Sequence, residues 1–120
     1  MNIAIDFDGV ISSYSGWKGK GVFGDPIEGV KEALVALKGN NHTIIINTTR
    51  LEIDLVAAFL KKWEIPYDHI NLSPRNQEQM LHPAKQAADV YIDDRAVCFQ
   101  GKWDEDFLKQ VKNFKPWWRK

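Results

Sequence analysis

IAIDFDGVIS, residues 3–12, is an apolar run that ends in two aspartates one residue apart, Asp6 and Asp8, followed by Gly9. The run predicts a buried strand over residues 2–7. Removing carboxylates from water is costly unless another group compensates their charge. The mouth of this strand is therefore the first place to look for a bound ion or a partner group.

Composition sets the class of protein. With 120 residues the chain is long enough for one compact domain, and we expect residues 1–120 to form it. The 16 basic and 16 acidic residues cancel, so net charge favours neither nucleic acid nor membrane. We expect a cytoplasmic protein, because no signal-type segment opens the chain and no apolar run approaches the ~20 residues of a membrane span. A single cysteine excludes an internal disulfide.

Capping signals predict where two helices begin. Asp25 can cap a helix in which Pro26 takes the first position and Glu28 completes a capping box. Thr49 and Glu52 form the same spacing before a second apolar helical face. Further strands are predicted over 42–47, 67–72, 88–92 and 96–99, a last helix over 103–111, and loops over 11–24 and 73–84.

Strands that alternate with helices indicate an α/β fold with a central parallel sheet covered on both faces. In such sheets, ligands bind beyond the carboxyl ends of the strands. That rule selects the side chains that follow the predicted strands, namely Asp6, Asp8, Thr48, Asp93 and Asp94.

Carboxylates gathered at one edge of a sheet repel one another, and a hard cation with oxygen ligands relieves the repulsion. Mg²⁺ suits such a site. A carboxylate beside the cation can attack phosphorus, and a second one can protonate the leaving oxygen and later deprotonate water. Thr48, placed just before a predicted helix, can bind phosphate oxygens through its hydroxyl and nearby backbone N–H groups.

Three segments carry a resemblance to a known family. DFDGV, the strand that ends in NTTR, and ADVYIDDR resemble motifs one, two and four of the haloacid dehalogenase superfamily, in the expected order over about residues 2–99. The superfamily consists mostly of Mg²⁺-dependent phosphatases. The resemblance implies a three-layer Rossmann-like core with a parallel sheet and helices on both faces.

The resemblance also implies residue roles. Asp6 matches the nucleophile and a metal ligand, and Asp8 matches the general acid/base, whose backbone carbonyl also binds the metal. Thr48 matches the phosphate-binding hydroxyl, and Asp93 and Asp94 match the acids that hold the metal. An aspartate at position 8 favours phosphoryl transfer to water over dehalogenation, which needs no acid there.

The third motif of that family, a lysine, is matched less directly. Lys85 lies eight residues before Asp93, and a fully extended path would place it roughly 20 Å from the site. It reaches the site only if 84–88 turns or bends, and Arg75 is the substitute.

Gly9, Thr49 and Arg50 are further candidates for substrate contact. A helix cap is the alternative role of Thr49, and a solvent-exposed first-turn side chain is that of Arg50.

Neither gap between the motifs can hold a cap domain of at least ~50 residues. We therefore expect a site that no cap domain covers. Either a large phosphorylated substrate or a second subunit of a homo-oligomer would then cover it. The loop 11–24, with Trp17, Lys18 and Lys20, is the predicted rim.

The leading hypothesis is an Mg²⁺-dependent phosphomonoesterase that works through an aspartyl-phosphate. A catalytically idle metal-binding or interaction protein of the same fold is the alternative, and a signalling receiver domain is less favoured because its acids and lysine follow a different order. The basic tail with Trp117 and Trp118 predicts a solvent-exposed helix face, and a contact with nucleic acid is the less favoured alternative.

Overall fold

The computed structural model describes residues 1–73 and 85–120. Strands and helices alternate along the described chain. Their bounds are β1 Asn2–Ile5, α1 Val30–Gly39, β2 Thr43–Ile46, α2 Ile53–Lys62, β3 His69–Ile70, β4 Val90–Ile92 and α3 Glu105–Lys112. No helix within these residues is long and apolar enough to cross a membrane.

The strands form one sheet in the order β3-β2-β1-β4, and every neighbouring pair is parallel. The predicted α/β class is confirmed, and the architecture is Rossmann-like. In register, Ile5 of β1 lies between Ile46 of β2 and Ile92 of β4. The carboxyl ends of these three neighbouring strands therefore meet at one edge of the sheet.

Alternating side chains of the central strands cover both faces. Ile3 and Ile5 pack into one core cluster with residues of both α1 and α2, including Leu34 and Phe59. Ala4 points to the opposite face and is buried as well. Burying the strands on both faces explains why they read as continuous apolar runs rather than alternating ones.

The predicted start of α1 at Asp25 is wrong. Ser12 and Pro26 form an antiparallel bridge, and Ser13 N–H donates to the Asp25 carbonyl, so the chain is still extended there. The helix begins only at Val30, after Gly29 in the left-handed region at φ 85°. The bridge brings the two ends of the loop 11–24 together. The buried Ser12 hydroxyl adds hydrogen bonds with the backbone N–H and carbonyl of Gly24.

Two other predicted elements also differ. Residues 96–99 form no strand, and the Phe99 ring packs instead against the rings of Trp103 and Phe107, with ring centres 5.2 Å apart in each pair. Helix α2 begins at Ile53 rather than after Thr49, and Glu52 precedes it without a capping hydrogen bond from its side chain.

Candidate active site

The carboxyl edge of the sheet opens into a cavity of about 820 Å³. Its wall includes predicted residues from after β1, β2 and β4, namely Asp6, Asp8, Thr48, Thr49, Arg50, Asp93 and Asp94. Backbone hydrogen bonds extend the sheet to this point, since Asp6 N–H donates to the Ile92 carbonyl and Asn47 N–H to that of Ile5, both at 2.8 Å. The edge predicted from the sequence is thus where these side chains lie.

Three carboxylates form a cluster inside this cavity. One oxygen each from Asp6, Asp93 and Asp94 lies within 4.8 Å of the others. Burial raises the pKa of Asp6 from 3.8 to about 8, and a hydrogen bond with Asp94 and the charge of Asp93 add to the increase. The Phe7 N–H, which donates to Asp6 Oδ1 at 2.8 Å, opposes it.

The cluster suits a divalent cation. Asp94 Oδ1 is buried and receives no hydrogen bond from a donor within residues 1–73 or 85–120, apart from a proton that Asp6 itself can carry. Its other oxygen accepts from Trp118 Nε1 at 2.6 Å. A proton on Asp6 relieves the repulsion when no cation is bound, and a cation would relieve it with Asp6 ionised. The all-oxygen donor set is the kind that Mg²⁺ prefers.

Asp8 is paired with Arg50 and does not belong to the cluster. Arg50 Nε and Nη2 donate to the two carboxylate oxygens of Asp8 at 2.8 and 2.9 Å, and Nη2 also donates to the Val22 carbonyl at 3.0 Å. Paired forks of this kind are strong, directional contacts. Asp6 and Asp8, which follow β1 with one residue between them, therefore have different partners.

Arg50 is a buried residue of this site. Only 6% of its surface is exposed, so the alternative of a solvent-exposed side chain is wrong. The guanidinium lies 4.4 Å from the ring centre of Phe23 and 4.9 Å from that of Trp17. Its Nη1 is buried and has no hydrogen-bond partner among the described residues.

Thr48 is held by the strand beside it. Asn71, which follows β3, accepts from Thr48 N–H at 2.8 Å and donates to the Thr48 carbonyl at 2.9 Å. The Thr48 hydroxyl accepts from Arg50 N–H at 3.1 Å. The hydroxyl proton remains to be donated, but the backbone N–H of Thr48 is already used by Asn71.

Lys85 is not brought to the cavity. Its ammonium group lies 4.7 Å from the ring centre of Tyr91, and Lys85 is not among the described residues that line the cavity. The chain bends at Lys85 but forms no helical turn over 85–88, and β4 then runs from Val90 to Ile92 before Asp93. Arg75 and residue 84 lie outside the described residues.

Gly9 does not line the cavity but lies directly behind it. Its φ is 85°, and a Cβ there would lie 2.3 Å from Asp94 Oδ2. The Gly9 carbonyl accepts from Trp117 Nε1 at 2.7 Å. Glycine is required here by both the backbone angle and the space.

The predicted rim is partly confirmed by position, since Trp17 and Lys20 line the cavity. Sequence reasoning missed other wall residues, among them Tyr14, Asn47 and Arg95. Asn47 and Arg95 had a usable signal, because each lies beside a predicted strand-end residue. Trp118 had none, because its contact with Asp94 is set by tertiary structure.

The described fold and cavity define an α/β protein with a carboxylate cluster at the carboxyl edge of a parallel sheet. A solved structure of a conserved protein coded by a locus of Bacteroides thetaiotaomicron is similar to this chain. The two are 25% identical with a TM-score of 0.65, and the match covers 93% of this chain and 88% of the other. No family model and no curated protein matches the sequence.

Proposed function

We propose that this chain is an Mg²⁺-dependent phosphomonoesterase of the haloacid dehalogenase type, working through an aspartyl-phosphate on Asp6. The observation that carries the proposal is the cluster of Asp6, Asp93 and Asp94 within 4.8 Å, in one cavity with Asp8 and Thr48. The resemblance of the three sequence motifs supports the same assignment.

The metal would be held by the carboxylates of Asp6, Asp93 and Asp94, with the backbone carbonyl of Asp8 as a further ligand implied by the family resemblance. When bound, Mg²⁺ supplies positive charge that screens the phosphate and the attacking carboxylate from each other. The carboxylate of Asp8 is not needed for this, because it belongs to the pair with Arg50.

The chemistry assigns different work to Asp6 and Asp8. An ionised oxygen of Asp6 attacks phosphorus, a carboxyl oxygen–phosphorus bond forms, and the bond from phosphorus to the leaving oxygen breaks with its electron pair. Protonated Asp8 gives its proton to that oxygen, then takes one from the water that attacks the acyl-phosphate. Phosphate leaves and the carboxylate of Asp6 is restored.

Arg50 and Thr48 are the phosphate-binding candidates. Arg50 Nη1 is a buried donor that lacks a partner among the described residues and belongs to a cavity-lining side chain, so a phosphate oxygen would satisfy it. The Thr48 hydroxyl retains one proton to donate. In this proposal Arg50 takes the place of Lys85, the candidate for the family's third motif, and of its substitute Arg75, and phosphate draws Arg50 away from Asp8.

The open cavity favours a large phosphorylated substrate. Trp17 is 59% exposed at the cavity wall and gives such a substrate an apolar surface beside Lys20. The tail tryptophans, by contrast, donate their indole N–H groups to Gly9 and Asp94. That pairing favours a structural role for the tail over base stacking with nucleic acid.

The test is hydrolysis of an aryl phosphate with and without Mg²⁺, comparing the wild type with Asp6→Asn. We expect hydrolysis that requires Mg²⁺ and that Asp6→Asn abolishes. Asp54→Asn, an exposed aspartate in the first turn of α2, is the matched control and should retain full activity. Equal hydrolysis by wild type and Asp6→Asn would show that Asp6 is not the nucleophile.

A specific observation favours a second candidate, a metal-binding protein without turnover. The two-point pairing of Asp8 with Arg50 keeps the proton-transfer group engaged, and Lys85 lies over Tyr91 rather than in the cavity. Mg²⁺ binding without hydrolysis over a broad panel of phosphomonoesters would support this candidate over the phosphatase.

A further inference from the structure

We propose that Trp118 is a positioning residue for the metal centre: its indole N–H fixes the carboxylate of Asp94 so that the remaining oxygen, Oδ1, is aimed at the cation. The inference rests on the metal site of the proposed function, but not on the phosphatase chemistry. It assigns the C-terminal tail a role that the sequence pattern did not suggest.

The two carboxylate oxygens of Asp94 differ in their hydrogen bonding. Trp118 Nε1 donates to Oδ2 at 2.6 Å, and the buried Oδ1 receives no hydrogen bond from any described donor other than a protonated Asp6. A carboxylate fixed through one oxygen cannot rotate freely about its Cβ–Cγ bond. Outer hydrogen bonds of this kind orient metal ligands and raise affinity in characterised metal sites.

Trp118 is itself held in place by its neighbours. Its ring meets that of Tyr14 edge to face at 5.1 Å between centroids, and the guanidinium of Arg95 lies 5.3 Å from the ring centre. Pro116 is buried, and its carbonyl accepts from Arg119 N–H at 3.0 Å, which turns the chain at the tryptophans. A donor fixed by packing can orient a carboxylate without first losing its own conformational freedom.

Gly9 packs closely against both Asp94 and Trp118. A Cβ at this position would meet Asp94 Oδ2 at 2.3 Å and Trp118 Nε1 at 3.0 Å. The hydrogen bond between indole and carboxylate therefore occupies the space where a side chain would project from the loop after β1. The loop of Asp6 and Asp8, the carboxylate of Asp94 and the tail form one packed unit.

Trp117 provides a matched control. It also donates an indole hydrogen bond, at 2.7 Å, but to the backbone carbonyl of Gly9, and it is 63% exposed. Both Trp117→Phe and Trp118→Phe keep an aromatic ring and lose one N–H. Only Trp118→Phe releases a proposed metal ligand, so a general loosening of the tail would affect both variants alike.

The experiment is Mg²⁺ titration of the full-length protein, monitored by the indole N–H signals in ¹H–¹⁵N spectra and by calorimetry. The Trp118 signal, identified by its loss in Trp118→Phe, should shift with Mg²⁺ more than that of Trp117. We expect Trp118→Phe to raise the Kd for Mg²⁺ about tenfold. Trp117→Phe should change it less than about twofold.

Measuring the unfolding temperatures of both variants checks that they fold. If Trp118→Phe unfolds, Trp118→His, which can also donate an N–H, takes its place and should retain more affinity than Trp118→Leu. Unchanged Kd in Trp118→Phe, equal losses in both phenylalanine variants, or no Mg²⁺ binding by the wild type overturns the inference. Mg²⁺ binding that depends on Trp118, without hydrolysis of any phosphomonoester, leaves it standing and removes only the phosphatase.

Discussion

Arg50→Met tests the pairing of Arg50 with Asp8, the second of the two aspartates that follow β1. Methionine replaces the aliphatic stem of the arginine side chain but removes the guanidinium. The substitution deletes the bonds to Asp8 at 2.8 and 2.9 Å and the bond to the Val22 carbonyl at 3.0 Å. It also leaves Asp8 partly buried without a cation.

The magnitude follows from burial. The side chain of Arg50 is 3% exposed and that of Asp8 is 19% exposed. Removing one partner of a buried ion pair costs about 3–5 kcal/mol, and the partial exposure of Asp8 places this pair near the lower end, at about 3 kcal/mol. For a chain of this length, that loss lowers Tm by about 12 °C.

The assay is urea and thermal unfolding at pH 7 with a chelator, applied to Arg50→Met, Asp8→Asn and the double variant. The double variant should be more stable than the sum of the two single losses predicts, because neither charge is then left alone. Lys31→Met is the surface control: it breaks the exposed contact with Glu64 at 3.0 Å and should cost less than about 1 kcal/mol. An Arg50→Met loss as small as that of Lys31→Met, with additive single losses, would refute the buried pairing.

Two further predictions concern the loop after β1. Because the folded protein raises the pKa of Asp6 to about 8, its contribution to metal-free stability is fully present below pH 3.8 and is lost as pH rises through about 8. Asp6→Asn should therefore be more stable than wild type in chelator at pH 8, by about 2 kcal/mol after allowing for partial exposure. Near pH 4 the two proteins should have the same free energy of unfolding. A difference in urea unfolding that stays constant across this range would contradict the raised pKa of Asp6. Gly9→Ala should lower the free energy of unfolding by about 2–3 kcal/mol and weaken Mg²⁺ binding, because the added Cβ displaces Asp94. Gly16→Ala, at φ 125° with nothing within 4 Å of the added Cβ, should show the cost of backbone strain alone. Equal losses of stability in the two variants, measured by calorimetry, would rule out the contact between the added Cβ and Asp94.

The carboxyl edge of the sheet could be predicted because it depends on local sequence and one topological rule. Apolar runs gave β1, β2 and β4, and parallel strands place their carboxyl ends at one edge. The grouping of Asp6, Thr48 and Asp94 in one cavity could therefore be predicted without knowing the conformation of the loops.

Helix starts were harder to predict because tertiary contacts compete with caps. The bridge between Ser12 and Pro26 holds the chain extended where Asp25 would cap α1. Arg50 turns back to Asp8, and its N–H bonds to the Thr48 hydroxyl, so α2 starts after this segment. A capping motif describes a local preference, and a buried ion pair is strong enough to override it.

The long-range contacts of the site had no local signal. Trp117 and Gly9 are 108 residues apart, and Trp118 and Asp94 are 24 apart. Only the folded chain brings them together. The basic residues of the tail drew attention to solvent or nucleic acid, whereas its tryptophans contact the site.

In the proposed reaction, Asp6 forms a covalent bond to phosphorus. The most direct measurement is acid quenching of the protein during turnover of an aryl phosphate with Mg²⁺, followed by mass spectrometry of its peptides. We predict a phosphoryl adduct on Asp6 that is lost in Asp6→Asn and in chelator, while Asp54→Asn retains it. Mg²⁺-dependent hydrolysis with the phosphoryl group on another residue, or undiminished turnover by Asp6→Asn, would contradict it.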